Sequence, residues 1–384
     1  MQTFFRLKDL HKNSIIVLNT FFGAYGMRKF TIKNYKSIVD LTLDIGRMNI
    51  FIGENGSGKT NILEAFAFAG LGMKNYLHNE IYPNRGINVT SSKLMINNFK
   101  GIKSPNNIHF VMDSIELSLC HDGSPWNNWK VLKKTYEYSP IKEFVVFLPE
   151  LKNLRKIQTS CWSNYSPLIS KGEMDLRYIF ETQPELLKSL LMYLQKYFNW
   201  VSDLKFEYLS YEGTKLYIKD IHIEPYLDQS QLPESVLRVI FYYLVMHLKS
   251  MPKMFAFDNI DIGLNPKLCR HLIKDLCDFS KTQDKQIFIT ISNPGILDGI
   301  NLGDDEQRIF IVSREDDIGY TQVRQLSAKN KPCSSIIGTL NRILLDGKMY
   351  SKQDVLNNFE QSDEPLKLSE AFLRGYIGGL PKTF

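Results

Sequence analysis

The order of apolar and polar positions predicts a sheet core wrapped by helices. Near the beginning, apolar and polar residues alternate on both sides of Lys36-Ser37, which predicts two strands joined at that point. The short apolar run Met48–Ile52 predicts a buried strand. A glycine-rich turn follows it, and then a helical segment from Thr60 to Gly70. Strand, loop and helix in this order are typical of an α/β domain.

The last third of the chain repeats the alternation of helices and buried strands. A helix is predicted over 233–248, and a second helix begins at Pro266 with Asn265 as its cap. Buried strands are predicted over 253–257, 286–291 and 308–312. The middle is less regular, with strand-like pieces at 108–119 and 144–148 and a helix at 184–198. Because no heptad pattern persists, a long coiled-coil arm is not expected.

Composition bounds the class of protein without identifying a partner. The chain has 384 residues, 43% of them hydrophobic, and a net charge of +6, which is compatible with nucleic acid or an acidic partner. Its 5 cysteines lack the spacing of a metal site, so reduced thiols are expected. No apolar stretch reaches the roughly 20 residues of a membrane span, and the start lacks a signal pattern. We therefore expect a soluble, cytoplasmic protein that does not associate with membranes.

The segment Gly53–Thr60 matches the phosphate-binding pattern G-x-x-x-x-G-K-[ST] in full. Its glycines allow backbone N–H groups to surround phosphates, Lys59 can reach the β- and γ-phosphates, and the Thr60 hydroxyl can bind Mg²⁺. We therefore predict ATP and Mg²⁺ as cofactors. The candidate nucleotide-binding residues are Gly53, Asn55, Gly56, Gly58, Lys59, Thr60 and Asn61.

A second Mg²⁺ ligand is expected from an acid at the end of an apolar strand. Asp258 follows the apolar run Met254–Phe257, so Thr60 and Asp258 are the candidate metal ligands. Acids also cluster at Asp304–Glu306 and Asp316–Asp317, but we expect these in turns rather than around a nuclease metal.

Several motifs together resemble the compact ABC-type ATPases of the RecF/SMC/OLD-like AAA group. They are Asn34–Ser37, Gly53–Thr60, Asp258, Asp261–Pro266 and Ile289–Leu297, and the resemblance covers roughly residues 27–312. Within that group the chain is most similar to ATPase subunits of bacterial anti-phage systems, of the Septu or retron-associated kind. The resemblance implies an α/β fold, namely an ABC-type P-loop ATPase head with a mixed central sheet flanked by helices and a partly helical insertion.

The resemblance also implies a domain division and an assembly. Residues 27–75 and 231–325 would form two lobes of one head, 76–230 an insertion or arm, 1–26 an extension and 326–384 a helical tail. Heads of this kind form a homodimer or a higher homo-oligomer with ATP sandwiched between copies. The loop Asp261–Pro266 would then run along the seam between two heads.

Three positions depart from the family pattern. Asn259 stands where the family has the general-base Glu, and an amide cannot accept a proton, which removes a contribution of about 10²–10⁴-fold. Ser292 stands at the position of the switch His. The signature loop is replaced by Leu232–Val236, where Ser235 is the candidate phosphate contact in trans and Pro233 removes one donor. Glu150 and Gln158 are both candidates for the glutamine-loop residue, and the sequence does not choose between them.

These features lead to one preferred function and one alternative. The binding motifs are intact and the hydrolysis motifs are altered, so the expected function is an ATP-dependent oligomeric scaffold with weak or absent hydrolysis. It would regulate a separately encoded nuclease or toxin in bacterial anti-phage defence, and nucleic acid is a further candidate partner. The alternative is an active, DNA-dependent RecF-like ATPase in DNA repair. Tyr193, Tyr242 and Tyr243 could stack on bases, but their helical spacing favours the core.

Overall fold

The computed structural model describes residues 26–88, 91, 94–100, 105–121, 129–135, 139–154, 183–209, 213–301, 303–326, 342–345, 348–351 and 369. The strands are β1 (Lys29–Tyr35), β2 (Ile38–Asp44), β3 (Met48–Ile52), β4 (Asn107–Met112), β5 (Ile115–His121), β6 (Trp129–Lys134), β7 (Val146–Phe147), β8 (Val201–Leu209), β9 (Gly213–Asp220), β10 (Leu227–Asp228), β11 (Met254–Phe257), β12 (Gln286–Ile291), β13 (Gln307–Arg314), β14 (Thr321–Leu326), β15 (Arg342–Leu345) and β16 (Lys348–Ser351). The helices are α1 (Lys59–Lys74), α2 (Leu151–Leu154), α3 (Pro184–Tyr197), α4 (Glu234–His247) and α5 (Pro266–Thr282).

A mixed six-stranded sheet forms the centre of the protein, in the order β14-β13-β3-β12-β11-β7. Strands β13, β3, β12, β11 and β7 run parallel, and β14 pairs antiparallel at one edge. Every residue of β3, β11 and β12 is buried. Continuous apolar runs are typical of parallel strands that are covered on both faces, which is why the sequence predicted these strands well.

The two faces of this sheet belong to two apolar clusters. Phe51 of β3 packs with Phe310 at a ring distance of 4.9 Å, in the cluster that includes α1 and the five-stranded sheet. Ile50 and Ile52 point into the other cluster, which is formed with α3, α4 and α5. Successive strand residues face opposite sides, so one apolar run serves both clusters.

The five-stranded antiparallel sheet has the order β2-β1-β4-β5-β6. Strands β4, β5 and β6, which the sequence placed with the insertion at 76–230, thus extend the sheet that β1 and β2 begin. A three-stranded sheet, β10-β9-β8, and the helix α3 follow in the chain. Tyr193, Tyr242 and Tyr243 are buried, which confirms that they belong to the core.

The ends of the chain are described only in part. Residues 1–25 of the predicted extension and most of the predicted helical tail lie outside the described residues. Within the tail, β15 and β16 form an antiparallel pair. Among the described helices, none is long and apolar enough to span a membrane.

A buried ion pair fastens the turn between β1 and β2 to the first helix. Lys36, at a φ of 47°, pairs with Glu64 of α1, whose side chain is only 1% exposed. Lys36 Nζ also donates to the Asn88 carbonyl at 2.8 Å, and the Asn88 N–H donates to Glu64 Oε1 at 2.9 Å. Burial raises the pKa of the Glu64 carboxyl, and the Lys36 ammonium opposes that rise. The turn is therefore held against α1 by mutually dependent charges.

We expect Glu64→Ala to lower the free energy of unfolding by about 3–5 kcal/mol, because it leaves the Lys36 ammonium, whose side chain is 13% exposed, without its carboxylate partner. The double variant Lys36→Met/Glu64→Met removes both charges and should cost less than the single variant. Urea unfolding followed by circular dichroism measures both. A single variant that is as stable as the wild type would show that the pair contributes nothing.

Candidate functional site

Most of the predicted site residues lie at the carboxyl ends of the parallel strands of the central sheet. Strands β3, β12 and β11 are parallel neighbours, so their carboxyl ends lie side by side. Gly53–Thr60 leaves β3, Ser292 follows β12, and Asp258 and Asn259 follow β11. This edge is where open α/β sheets commonly bind ligands.

The backbone of the glycine-rich loop requires glycine at two places. Gly56 and Gly58 have φ values of 80° and 106°, which L-residues with side chains rarely adopt. A Cβ atom on Gly58 would lie 2.1 Å from Thr321 Oγ1 and 2.9 Å from Ser37 Oγ. A Cβ atom on Gly56 would meet no atom within 4 Å. The loop is thus closely packed on its Gly58 side and open on its Gly56 side.

Lys59 lies inside the loop and binds its carbonyl groups. Its Nζ donates to the carbonyl oxygens of Gly53 at 2.6 Å and Glu54 at 2.9 Å. Burial lowers the pKa of Lys59, while the carboxylates of Asp258, Asp261 and Glu54 act in the opposite direction. A partly desolvated ammonium is strongly attracted to an anion such as phosphate.

The hairpin formed by β13 and β14 supports the loop from outside. Arg314 Nε donates to the Gly56 carbonyl at 2.7 Å, and Thr321 Oγ1 donates to the Ser57 carbonyl at 3.0 Å. Sequence reasoning missed both residues. They lie 258 and 264 positions from their partners, so no local pattern points to them.

Asn61 is directed toward the turn between β1 and β2. Its Nδ2 donates to Ser37 Oγ at 2.7 Å, and the hydroxyls of Ser37 and Thr321 share a hydrogen bond of 2.6 Å. The Asn61 side chain, which the sequence predicted to bind nucleotide, therefore binds Ser37 within the protein. Asn55 is exposed at the tip of the loop.

A buried carboxylate joins the loop to the strand ends. Thr60 Oγ1 donates to Asp258 Oδ2 at 2.9 Å, and Thr290 Oγ1 donates to Oδ1 at 2.5 Å. Asp258 is 3% exposed, and burial raises the pKa of its carboxyl against the effect of these two hydroxyls. A hydroxyl and a carboxylate are the oxygen ligands that Mg²⁺ prefers. Thr60 and Asp258 could therefore hold that ion.

Thr290 is a third residue of the site that sequence reasoning missed. It lies fully buried in β12, and its Oγ1 also accepts a hydrogen bond from the Asn259 N–H at 2.7 Å. The available signal was a single hydroxyl residue among isoleucines and phenylalanine in Gln286–Ile291. A polar side chain in such a strand normally has a specific partner.

Asn259 and Ser292 lie in the segments that follow β11 and β12. Asn259 adopts a φ of 50°, a conformation that asparagine tolerates better than most residues. Ser292 is exposed, and its backbone N–H donates to Asp261 Oδ2 at 2.9 Å. Neither side chain can act as the charged or proton-accepting group of the family pattern.

The remaining candidates lie around this edge or outside it. Ser235 lies in the first turn of α4, after Pro233 at the cap position. Glu150 lies between β7 and α2, whereas Gln158 is outside the described residues. The acids at 304–306 and 316–317 lie in the loops before and after β13, as the sequence predicted.

Two sequence comparisons show which known proteins this chain resembles. Residues 29–195 match the family model AAA_23, described as an AAA domain. The DNA replication and repair protein RecF of Lactococcus lactis subsp. cremoris, strains MG1363 and SK11, is 46% identical over 46 residues. That match covers 12% of this chain and 13% of the RecF chain, so it concerns a short segment of both proteins.

Solved SMC heads have a similar fold over most of the chain. The SMC head bound to the C-winged helix domain of ScpA superimposes with a TM-score of 0.55 and 14% identity, covering 79% of this chain and 98% of that one. The Pyrococcus furiosus head with an extended coiled coil, bound to the C-terminal domain of ScpA, has a TM-score of 0.52 and 13% identity, covering 79% and 97%. The Pyrococcus yayanosii head with a coiled coil and joint has a TM-score of 0.53 and 10% identity, covering 88% and 100%.

These similarities confirm the predicted fold class. The chain has an SMC head-like P-loop ATPase fold with a mixed sheet and flanking helices. Together with the AAA domain match and the short RecF match, they support an SMC/RecF-like ATPase domain.

The hydrogen bonds of Thr290 to Asp258 and Asn259 can be tested by mutation. We expect Thr290→Val to lower the free energy of unfolding by about 1–3 kcal/mol, because the buried Asp258 oxygen and Asn259 N–H lose their partner. Thr290→Ser keeps the hydroxyl and should lie closer to the wild type. Thermal and urea unfolding of both variants provide the comparison, and a Thr290→Val variant as stable as the wild type would show that the hydroxyl contributes nothing.

Proposed function

We propose that this chain is an ATP-binding head subunit that assembles through ATP into a homodimer or higher homo-oligomer. The assembly would hold and regulate a separately encoded nuclease or toxin in bacterial anti-phage defence. The observation that carries the proposal is a complete phosphate-binding loop beside Asp258, combined with an amide at position 259.

ATP and Mg²⁺ fit the residues at this edge of the sheet. The Lys59 ammonium, which binds only loop carbonyls among the described residues, is the group that would meet the β- and γ-phosphates. Thr60 and Asp258 supply hard oxygen ligands for Mg²⁺, which would neutralise phosphate charge. The open side at Gly56 leaves space for a ligand to approach the backbone.

Hydrolysis would be slow because the site lacks a proton acceptor at the expected place. The Asn259 amide can hold a water molecule through hydrogen bonds, but it cannot take the proton of that water. Ser292 carries a short neutral hydroxyl where the family has an imidazole. ATP would therefore persist in the site and stabilise the assembly, since a ligand that binds only the assembled state shifts the equilibrium toward it.

The proposal of a partner is supported by similar proteins. The SMC heads that resemble this chain were solved bound to domains of ScpA, so heads of this fold offer surfaces to separate proteins. In this proposal 27–75 and 231–325 form the head together with β4, β5, β6 and β7, which join its sheets, and the rest of 76–230 forms the arm. Ser235 at the start of α4 would meet the ATP of the other copy.

The first test asks which nucleotide stays bound. Purified protein is incubated with ATP and Mg²⁺, freed of excess nucleotide and denatured, and the released nucleotide is identified by anion-exchange chromatography. We expect retained ATP in the wild type and none in Lys59→Ala, because the variant lacks the phosphate-binding ammonium. Rapid and complete conversion to ADP would contradict the hypothesis that ATP persists and stabilises the assembly. A pull-down from the native operon that recovers no partner would contradict the regulatory part.

A second test restores the carboxylate. Asn259→Glu should raise ATP turnover by at least about tenfold, because a carboxylate contributes about 10²–10⁴-fold as a general base and the backbone at φ 50° disfavours Glu. Asn259→Asp suits that backbone better but is shorter, so we expect a smaller gain. If neither variant exceeds the wild-type rate while both still bind ATP, the missing carboxylate does not limit hydrolysis.

The second candidate is a DNA-dependent, RecF-like ATPase. The 46% identity with RecF over 46 residues favours it specifically, although that segment is 13% of RecF. The two candidates differ in one measurement, namely ATP turnover with and without double-stranded DNA. Strong stimulation by DNA would favour the repair enzyme, and an unchanged slow rate would favour the scaffold.

A further inference from the structure

The hydroxyl of Thr321 lies between the phosphate-binding loop and the turn that joins β1 and β2. Its Oγ1 donates to the Ser57 carbonyl at 3.0 Å and lies 2.6 Å from Ser37 Oγ. Ser37 Oγ is in turn 2.7 Å from Nδ2 of Asn61, in the first turn of α1. These hydrogen bonds form a ring that leaves the loop at Ser57 and returns to the helix at Asn61.

Each hydrogen bond of the ring has one possible direction. The Ser57 carbonyl can only accept, so the single O–H of Thr321 is committed to it. Thr321 Oγ1 must therefore accept from the Ser37 O–H, and Ser37 Oγ accepts from the Asn61 amide. We call Asn61, Ser37 and Thr321 the side-chain relay, because each donates to the next and the last donates to the loop. Hydrogen bonds in such a chain polarise and strengthen one another.

The side-chain relay is closely packed where it meets the loop. Thr321 is 2% exposed and Ser57 is 3% exposed. The Thr321 N–H also donates to the Ser37 carbonyl at 2.8 Å, so these two residues are joined by backbone and by side chain. A Cβ atom on Gly58 would lie 2.1 Å from Thr321 Oγ1 and 2.9 Å from Ser37 Oγ. The relay therefore leaves the loop backbone little room to take another conformation.

The bond from Thr321 to Ser57 also sets the direction of the next N–H group. The peptide between Ser57 and Gly58 is trans, because the described residues contain no cis peptide bond. In a trans peptide the C=O and the N–H point to opposite sides. Since the Ser57 carbonyl faces Thr321, the Gly58 N–H is directed away from the β13–β14 hairpin, to the side on which the loop would bind phosphate.

We infer that Thr321 and Ser37 are positioning residues for the nucleotide, and that Asn61 acts through them rather than by contact with the nucleotide. They set the affinity of the loop for phosphate by fixing its backbone. The relay thus replaces the prediction that the Asn61 side chain binds nucleotide. This inference rests on the proposed function, because it takes Gly53–Thr60 to be the ATP-binding loop.

The first part of the test removes one hydroxyl. Equilibrium dialysis with Mg²⁺ measures the affinity for a non-hydrolysable ATP analogue, and thermal unfolding without nucleotide measures stability. We expect Thr321→Val to weaken binding at least about fivefold, because the Ser57 carbonyl loses its donor. Thr321→Ser keeps the hydroxyl and should bind within about twofold of the wild type. Thr42→Val is the matched control and should bind like the wild type, since the Thr42 hydroxyl pairs with that of Thr31 at 2.9 Å within the five-stranded sheet.

The second part separates the relay from direct contact. Asn61→Ala is measured alone and in a Ser37→Ala background. If Asn61 acts through Ser37, its replacement weakens binding in the wild type but adds less than about twofold once Ser37 is Ala, because residues of one network are not additive. The same further loss in the Ser37→Ala background would show that Asn61 binds the nucleotide directly, and would overturn the inference.

Two other results would also overturn it. A Thr321→Val protein that is less stable but binds the analogue like the wild type would assign the relay to folding alone. Equal losses of affinity in Thr321→Val and Thr321→Ser would show that the hydroxyl is not the cause. If Thr321→Val does not fold, the comparison of Ser37 and Asn61 decides. A wild-type protein that does not bind the analogue would instead show that the proposed function fails.

Discussion

The hydrogen-bonded carboxylate of Asp258 is the interaction on which the candidate site depends. A buried carboxylate is costly unless its oxygens are paired, and here one oxygen accepts from Thr60 and the other from Thr290. These hydroxyls come from the start of α1 and from β12, which lies between β3 and β11 in the sheet. The order of the strands thus brings both hydroxyls to the same carboxylate.

Other polar side chains around the nucleotide loop are also paired with each other. Lys36 and Glu64 hold the turn between β1 and β2 against α1, and the hydroxyls of Ser37 and Thr321 close the gap beside Gly58. The loop is therefore shaped by side chains from three separate parts of the chain. A preorganised loop of this kind binds phosphate without first being ordered, which reduces the entropic cost of binding.

Sequence reasoning succeeded where a local pattern determines the structure. The strands Met48–Ile52 and Gln286–Ile291 are continuous apolar runs, and the cap of α5 is set by Asn265, whose side chain accepts from the Leu268 N–H at 2.8 Å. The candidates Gly53–Thr60 and Asp258 were recognisable from a local motif and from an acid that ends an apolar strand, and the fold brings Thr60 and Asp258 within hydrogen-bond distance. Local order was enough in each of these cases.

Sequence reasoning could not identify interaction partners that are distant in the sequence. Glu64 looks like an ordinary helix residue, and Thr290 like a minor interruption of an apolar strand, until the fold places Lys36 and Asp258 beside them. The middle of the chain was harder for a related reason. Strands β4, β5 and β6 belong to a sheet that begins at β1, and the alternation within a strand predicts that strand but not its distant partner.

The hairpin that carries Arg314 and Thr321 has a consequence for how the chain can be divided. The phosphate-binding motif is complete by residue 60, yet two carbonyls of its loop are held by side chains more than 250 positions later, at separations of 258 and 264. A fragment that stops before residue 314 would contain the whole motif but lack the two side chains that bind its Gly56 and Ser57 carbonyls. Truncation before the β13–β14 hairpin, or proteolysis or insertion within it, would thus change the nucleotide loop as directly as a substitution in the loop itself.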